Sequence, residues 1–484
     1  MNHPRAAMCI AGLTLVLVGV YQFVYAKHPV GLAFAVMVAA LLGASGIAML
    51  LAGQKGNRWS LLFLIPLCLS TLAKILYASF VVQSVAFFVA LCSLVLFVFW
   101  NTSPPISFWH NRSLWPTSFF IETLWPFQKL KRFASFLQLG HSGWRILVGF
   151  AIAIPFLAIF AGLFMSSDLL LSRLLTETLH GFQLQDFFGE VIRDVVIGVI
   201  FLATGWTLFL RRSEQRLPVY SEANAPELHA AGLLGFLVPL VVLFLCFIAF
   251  QAAAVFGGET FVQSHGLTYA EYARSGFFQL LAVAGIVFAV CVFIYRSTNM
   301  RDSVSKWLTI ALIGETGIII FSAIQRLQLY IETYGLTLAR WWPMASILFI
   351  GTVLLLLAML AIARVSFHQV AKVLCVWSLM IVSVVLLYNV EGSIVAYNAN
   401  RFLTGKTNEL DVRYMTDLLS DDAIPQLVLL SQHATAYSSN INKILTESLV
   451  SDRVRQETKK KLGWRSFLVS DYWARAALSE VIKK

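Results

Sequence analysis

The chain has 484 residues, 58% of them hydrophobic and only 13% charged, with a mean hydropathy of +0.76. Soluble proteins carry about a quarter charged residues, so most of this chain must face lipid instead of closing around a water-soluble core. That argues against a soluble enzyme, a disordered regulator and a secreted disulfide scaffold. The net charge of +11 is concentrated in short loops between apolar runs. It is therefore a topology signal, and no nucleic-acid partner is expected.

Met1 to Arg5 precede an apolar run that ends at Tyr25-Ala26. The run is about nineteen residues long, beyond most signal-peptide cores, and a second follows at once, so it reads as an uncleaved membrane helix. Runs of spanning length fall near 8–26, 30–53, 60–77, 79–100, 145–166, 192–210, 231–254, 276–295, 307–328, 343–363 and 373–390. The pattern predicts an all-α fold, a polytopic transmembrane helix bundle of about eleven helices, with a small helical C-terminal tail domain. An odd count places the termini on opposite sides. With the N-terminus inside, Lys and Arg divide about sixteen to seven in favour of the inner loops, as the positive-inside rule requires. The pair 60–77 and 79–100 is joined by a very tight turn, and a re-entrant hairpin there would alter the count.

Four segments follow: 1–100, a four-helix membrane part; 101–144, an inside interfacial loop; 145–390, a seven-helix membrane core; and 391–484, an extramembrane helical tail. The loop mixes Trp109, Trp115, Trp125 and Trp144 with Lys129, Lys131 and Arg132, as a headgroup-level segment does. An outer loop over 167–190 carries Asp168, Glu177, Asp186 and Glu190. In the tail, helices are predicted near 409–419, 423–448, 452–462 and 470–483, with Ser420-Asp421-Asp422 as a helix start. The tail is too small for a thick core, which predicts docking on the membrane part.

No catalytic motif is present, and no cofactor or metal site is expected. Thr404-Gly405-Lys406-Thr407 ends like a phosphate loop, but Asn400 stands where the upstream glycine is required. Asp421-Asp422 lacks supporting metal ligands, so capping is the simpler reading. Cys9, Cys68, Cys92, Cys246, Cys291 and Cys375 lie in apolar runs without metal or redox spacing and read as small apolar core residues.

The sharpest polar feature is on the predicted helix 307–328. Ser322 and Arg326 each fall within roughly 20° of Glu315 on one face, at steps of seven and four. Leu308 sits one further step of seven back, so the stripe stops short of the inner side. A carboxylate at that depth must face a partner or a wet cavity, and Gly314 beside it would allow a close helix approach. Arg326 is about 16 Å further on, too far to pair with Glu315. The stripe serves either a proton or substrate site or a structural hydrogen bond between helices.

On the outer face, Thr268 and Glu271 have capping-box spacing, and Gly-Leu-Thr-x-Ala occurs at both Gly266 and Gly335. Tyr269, Glu271, Tyr272, Arg274, Tyr330, Glu332, Tyr334 and Arg340 would gather there, as an aromatic belt or as a binding rim.

These stretches also carry a family resemblance. It comprises Phe256-Gly257-Gly258 with Gly266 to Phe278; Arg326, Tyr330 to Glu332, Tyr334 to Thr337 and Arg340; and, in the tail, Asn398, Arg401, Leu410-Asp411, Tyr414, Leu418 to Ser420, Asp422-Ala423 and Pro425. Over roughly 145–475 the chain resembles the bacterial membrane family of domain of unknown function 4173, with its relative 4153. The resemblance implies a multi-pass bacterial inner-membrane protein and supplies no catalytic residues. The functional expectation is a non-enzymatic envelope sensing or scaffolding component, bound to the lipid bilayer and to an envelope protein partner. A secondary transporter or proton-coupled permease using the intramembrane carboxylate Glu315 is the alternative, and a membrane enzyme acting on a lipid-linked substrate is a third.

Overall fold

A computed structural model of the chain describes residues 31–51, 58–102, 141–168, 171, 230–264, 276–298, 300, 302–433 and 467–483. In order, the helices are α1 (Leu32–Leu51); a 3-10 turn (Arg58–Phe63) leading into α2 (Leu64–Leu76); α3 (Phe80–Thr102); α4 (His141–Ser167); α5 (Ala230–Ser264); α6 (Phe277–Thr298); α7 (Ser303–Tyr334); α8 (Leu338–Ile362); and α9 (Phe367–Leu386). The tail adds α10 (Val390–Leu403), α11 (Val412–Asp417), a 3-10 turn (Asp421–Ala423), α12 (Ile424–His433) and α13 (Val469–Lys483). There is no strand among the described residues. Lipid offers the backbone no hydrogen-bond partner, so apolar runs of this length close their bonds within a helix.

Seven of these helices are long and apolar enough to cross a membrane, and Leu32–Ile47 and Ser60–Leu76 are shorter apolar helices. They correspond to nine of the eleven predicted spans. The other two, near 8–26 and 192–210, lie outside the described residues, as do most of the 101–144 and 167–190 loops and the tail stretch 452–462. The count of eleven is compatible with this architecture, and the chain is a multi-pass, all-α membrane protein.

The chain divides into two compact units. The first comprises 1–108, 335–341 and 375–484; the second comprises 109–334 and 342–374. In the second unit, α4 and α5 run parallel. A Cβ on Gly149 would come within 1.9 Å of the Gly232 carbonyl oxygen, and one on Gly235 within 2.0 Å of that of Ile146. Only hydrogen fits there, and the two backbones touch. Further along, Phe156 meets Phe236, Phe160 meets Phe244, and Phe164 stacks on Phe247 with centroids 3.9 Å apart. Tyr295 on α6 is wholly buried, and its hydroxyl donates toward the Val365 carbonyl at 2.6 Å. Gly314, by contrast, has nothing within 4 Å of an added Cβ among the described residues.

In the first unit, α2 and α3 form a hairpin across Tyr77–Ser79, with Phe34, Val38, Leu67 and Ala90 in its core. Lys74 is buried, donates to the Gln83 carbonyl at 3.0 Å and lies over the rings of Phe34 and Phe87. The tail has its own small core of Val395, Leu410, Met415, Leu427, Val428 and Leu478. Thr404-Gly405 is the end of α10: Gly405 has φ +72°, and its N–H donates to the Phe402 carbonyl, a glycine-terminated helix and no phosphate loop. Of the described cysteines only Cys291 is buried; Cys68, Cys92 and Cys246 are exposed, so these three are surface residues and not the core residues expected.

Candidate functional site

Two polar constellations stand out, one in each unit. The first is built on α7. Its buried face carries Ser305, Thr309, Thr316 and Arg326 at helical spacing, and the Thr309 and Thr316 hydroxyls donate back to the Ser305 and Leu312 carbonyls. Buried polar groups therefore do continue toward the start of the helix, on a face rotated from Leu308. Back-bonding silences the two threonine hydroxyls within their own helix, whereas the buried Ser305 Oγ finds no hydrogen-bond partner among the described residues.

Arg326 is 6% exposed and Asp168 fully buried; their side chains pair at 2.8 Å. A second guanidinium nitrogen reaches the Ser167 carbonyl at 3.2 Å, and the Leu171 N–H donates to the Asp168 carboxylate at 3.3 Å. Gly276, at φ +83°, lies directly over this joint: an added Cβ would fall 1.8 Å from the Ser167 carbonyl oxygen. The end of α4, the start of α6 and the C-terminal third of α7 thus meet at one buried ion pair. Asp168, expected in an outer loop, is instead buried directly after the last residue of α4, a position that no local spacing marks. Gln251 on α5 is 4% exposed, one turn beyond Phe247, as Asp168 is one turn beyond Phe164. The stacked phenylalanines therefore bring Gln251 to the level of the ion pair.

Glu315 is 7% exposed, and its Oε2 accepts no hydrogen bond among the described residues. Ser322 is half-buried between Glu315 and Arg326. Tyr330 and Tyr334 pack edge to face at 5.1 Å at the end of α7, where Glu332 and Tyr334 are exposed. Arg340 belongs to the other unit, where its guanidinium donates to the Gly335 carbonyl. Tyr269, Glu271, Tyr272 and Arg274 lie outside the described residues.

The second constellation joins the tail to helix ends within the first unit. Asp422 is 4% exposed, and its carboxylate accepts the Ala78 N–H at 2.9 Å and the Ser79 N–H at 3.0 Å. Those amides are at the start of α3, where four N–H groups have no partner inside the helix. Asp422 therefore caps a membrane helix far away in sequence, while Ser420 makes the local cap expected of it, accepting the Asp422 N–H at 3.4 Å. Burial pushes the Asp422 carboxyl above the usual range; the Ala78 and Ser79 amides oppose this, and nearby Glu391 adds to it. Glu391, also buried, accepts the Ser420 N–H, and the Asn389 amide donates to the Asp422 carbonyl at 3.1 Å.

Other contacts repeat the pattern. Asn398 both accepts the Leu336 N–H at 2.9 Å and donates to the Leu336 carbonyl at 2.8 Å. The Tyr414 hydroxyl accepts the Leu338 N–H at 2.8 Å. The Leu32 N–H at the start of α1 donates to the Phe467 carbonyl at 3.3 Å, and the Tyr77 hydroxyl donates to the Leu387 carbonyl at 2.6 Å. The tail and its entry thus bind the start of α1, the α2–α3 turn and the start of α8. Spacing could not have revealed these joints, because each pairs a local cap or turn with a backbone amide remote in sequence.

Among the described residues no group of three or more His, Cys, Asp or Glu could hold a metal ion. No curated protein and no solved structure matches the chain. A family model does match, over residues 12–430, and so takes in the first four predicted helices that carried little of the resemblance. The match is to the 4153 family, the relative, and family 4173 is not shown. The chain belongs to the family described as Domain of unknown function (DUF4153).

Proposed function

We propose that this protein is a non-enzymatic envelope component of a bacterial inner membrane. Its N-terminus is cytoplasmic, and its tail, on the opposite side, is a brace that reports or transmits the arrangement of the outer helix ends to an envelope protein partner. The observation that carries this reading is the Asp422 joint: a buried tail carboxylate spends its acceptors on two backbone amides of a membrane hairpin. A tail that merely trailed from the last helix would have no reason to bury a charge. Deleting residues 405–484 is expected to abolish both the phenotype and the crosslinked partners. Retention of both overturns the proposal.

Glu315 favours a second reading, a proton-coupled permease. A buried carboxylate with an oxygen that no hydrogen bond satisfies among the described residues is costly in an apolar interior, and such a group is suited to binding and releasing a proton or cation. Glu315→Gln keeps the shape and removes the charge. On this reading it abolishes uptake or efflux at unchanged protein abundance; equal loss of folded protein assigns Glu315 a structural role.

A further inference from the structure

We infer that the last helix of the tail is seated in the lipid headgroup layer, through an aromatic face formed by Phe467, Tyr472 and Trp473. The inward face of α13 is fixed by Ser470, Asp471, Ala474 and Leu478, all buried, with Leu478 in the tail core beside Ala423. At about 100° per residue the opposite face of its first two turns presents Val469, Tyr472, Trp473 and Ala476. Tyr472 is 62% and Trp473 47% exposed, and Phe467, just before the helix, is 47% exposed.

The depth of this face follows from two tethers. The Phe467 carbonyl holds the first N–H of α1, so the entry to α13 lies where one of the shorter apolar helices begins. The residues next to Ala423 hold the start of α3, where Phe80, first residue of the span Phe80–Val98, is 83% exposed. The aromatic face of α13 is thereby continuous in level with a ring at a membrane entry. Tryptophan and tyrosine, with an apolar body and one polar atom, partition to that boundary, and a helix apolar on one side lies along it. A protein partner could also use an exposed Trp and Tyr, but it would not require them at the level of two helix starts. The occupant is the outer leaflet of the same membrane.

The test places an environment-sensitive fluorescent amino acid, by codon suppression in the full-length chain in liposomes, at Tyr472 and separately at Trp473. Phe80 serves as the lipid reference and Arg413, 91% exposed, as the aqueous one. Quenching by headgroup-level nitroxide lipids should match Phe80 at both sites and exceed iodide quenching severalfold. Iodide quenching equal to that at Arg413 overturns the inference, and so does protection from both quenchers, which would mean a covering protein. Position 472 carries the test if the probe at 473 disturbs the tail.

Discussion

The two units bury carboxylates in opposite ways. In the second, Asp168 is matched by a full countercharge, the Arg326 guanidinium, at the meeting of three helix ends. In the first, Asp422 lies against backbone amides, partial charges that need no partner to be drawn out of water. A buried ion pair is strongly destabilised when one member is removed, because the other charge stays behind. Removing a carboxylate that sits on amides leaves only neutral donors behind. The comparison teaches that the ion pair locks helices together, whereas the amide joint is a contact a tail could make and release. Glu315 belongs to neither scheme, and so it is the residue to test for transport.

The largest expected effect follows from the lock. Arg326→Ala leaves Asp168 without the guanidinium and should cost about 3–5 kcal/mol, seen as loss of folded protein and a lowered melting temperature in detergent. A near-normal melting temperature would remove the lock from the account. Gly276→Ala comes next: the positive φ and the Ser167 carbonyl together predict about 2–3 kcal/mol lost, whereas Gly314→Ala, with open space around it, should be neutral or slightly stabilising. Equal melting temperatures for the two variants would contradict the close approach at Gly276.

Asp422→Ala should loosen the tail by about 2 kcal/mol, the value of charge-assisted bonds to two amides, without unfolding the second unit. Protease sensitivity of the tail measures this. The pH dependence has a definite sign. Burial raises the Asp422 pKa when the tail is docked, so the docked form holds its proton more tightly than the free one. Docking is therefore strongest below the ordinary aspartate range, weakens as pH rises through the raised value and then levels off. Asp422→Asn should flatten that profile. The smallest effect is expected of Arg413→Ala, whose 3.5 Å pair with Asp417 is largely exposed: less than about 1 kcal/mol.

What was legible in the sequence was whatever depends on runs and local spacing. The apolar lengths set the helices, and Ser420 behaves as the cap expected of it, accepting the Asp422 N–H at 3.4 Å. The α7 helix and the burial of Glu315 were legible for the same reason. The partner of Arg326 was not, because Asp168 lies 158 residues away on another helix and helical periodicity carries no information between helices. Nor was the role of Asp422, whose acid-rich neighbourhood imitates an ordinary helix start. Nor were the glycine contacts at Gly149, Gly235 and Gly276, because a glycine looks the same in sequence whether or not a neighbour approaches it.

The most direct test of the central claim is amide hydrogen exchange across Tyr77–Ser79, measured on the full-length chain in lipid nanodiscs. The account predicts that this turn is protected in the native chain and exchanges many-fold faster in Asp422→Ala, with the second unit unchanged. Identical exchange in the two chains would show that the tail carboxylate does not hold the hairpin, and the brace would be lost with it.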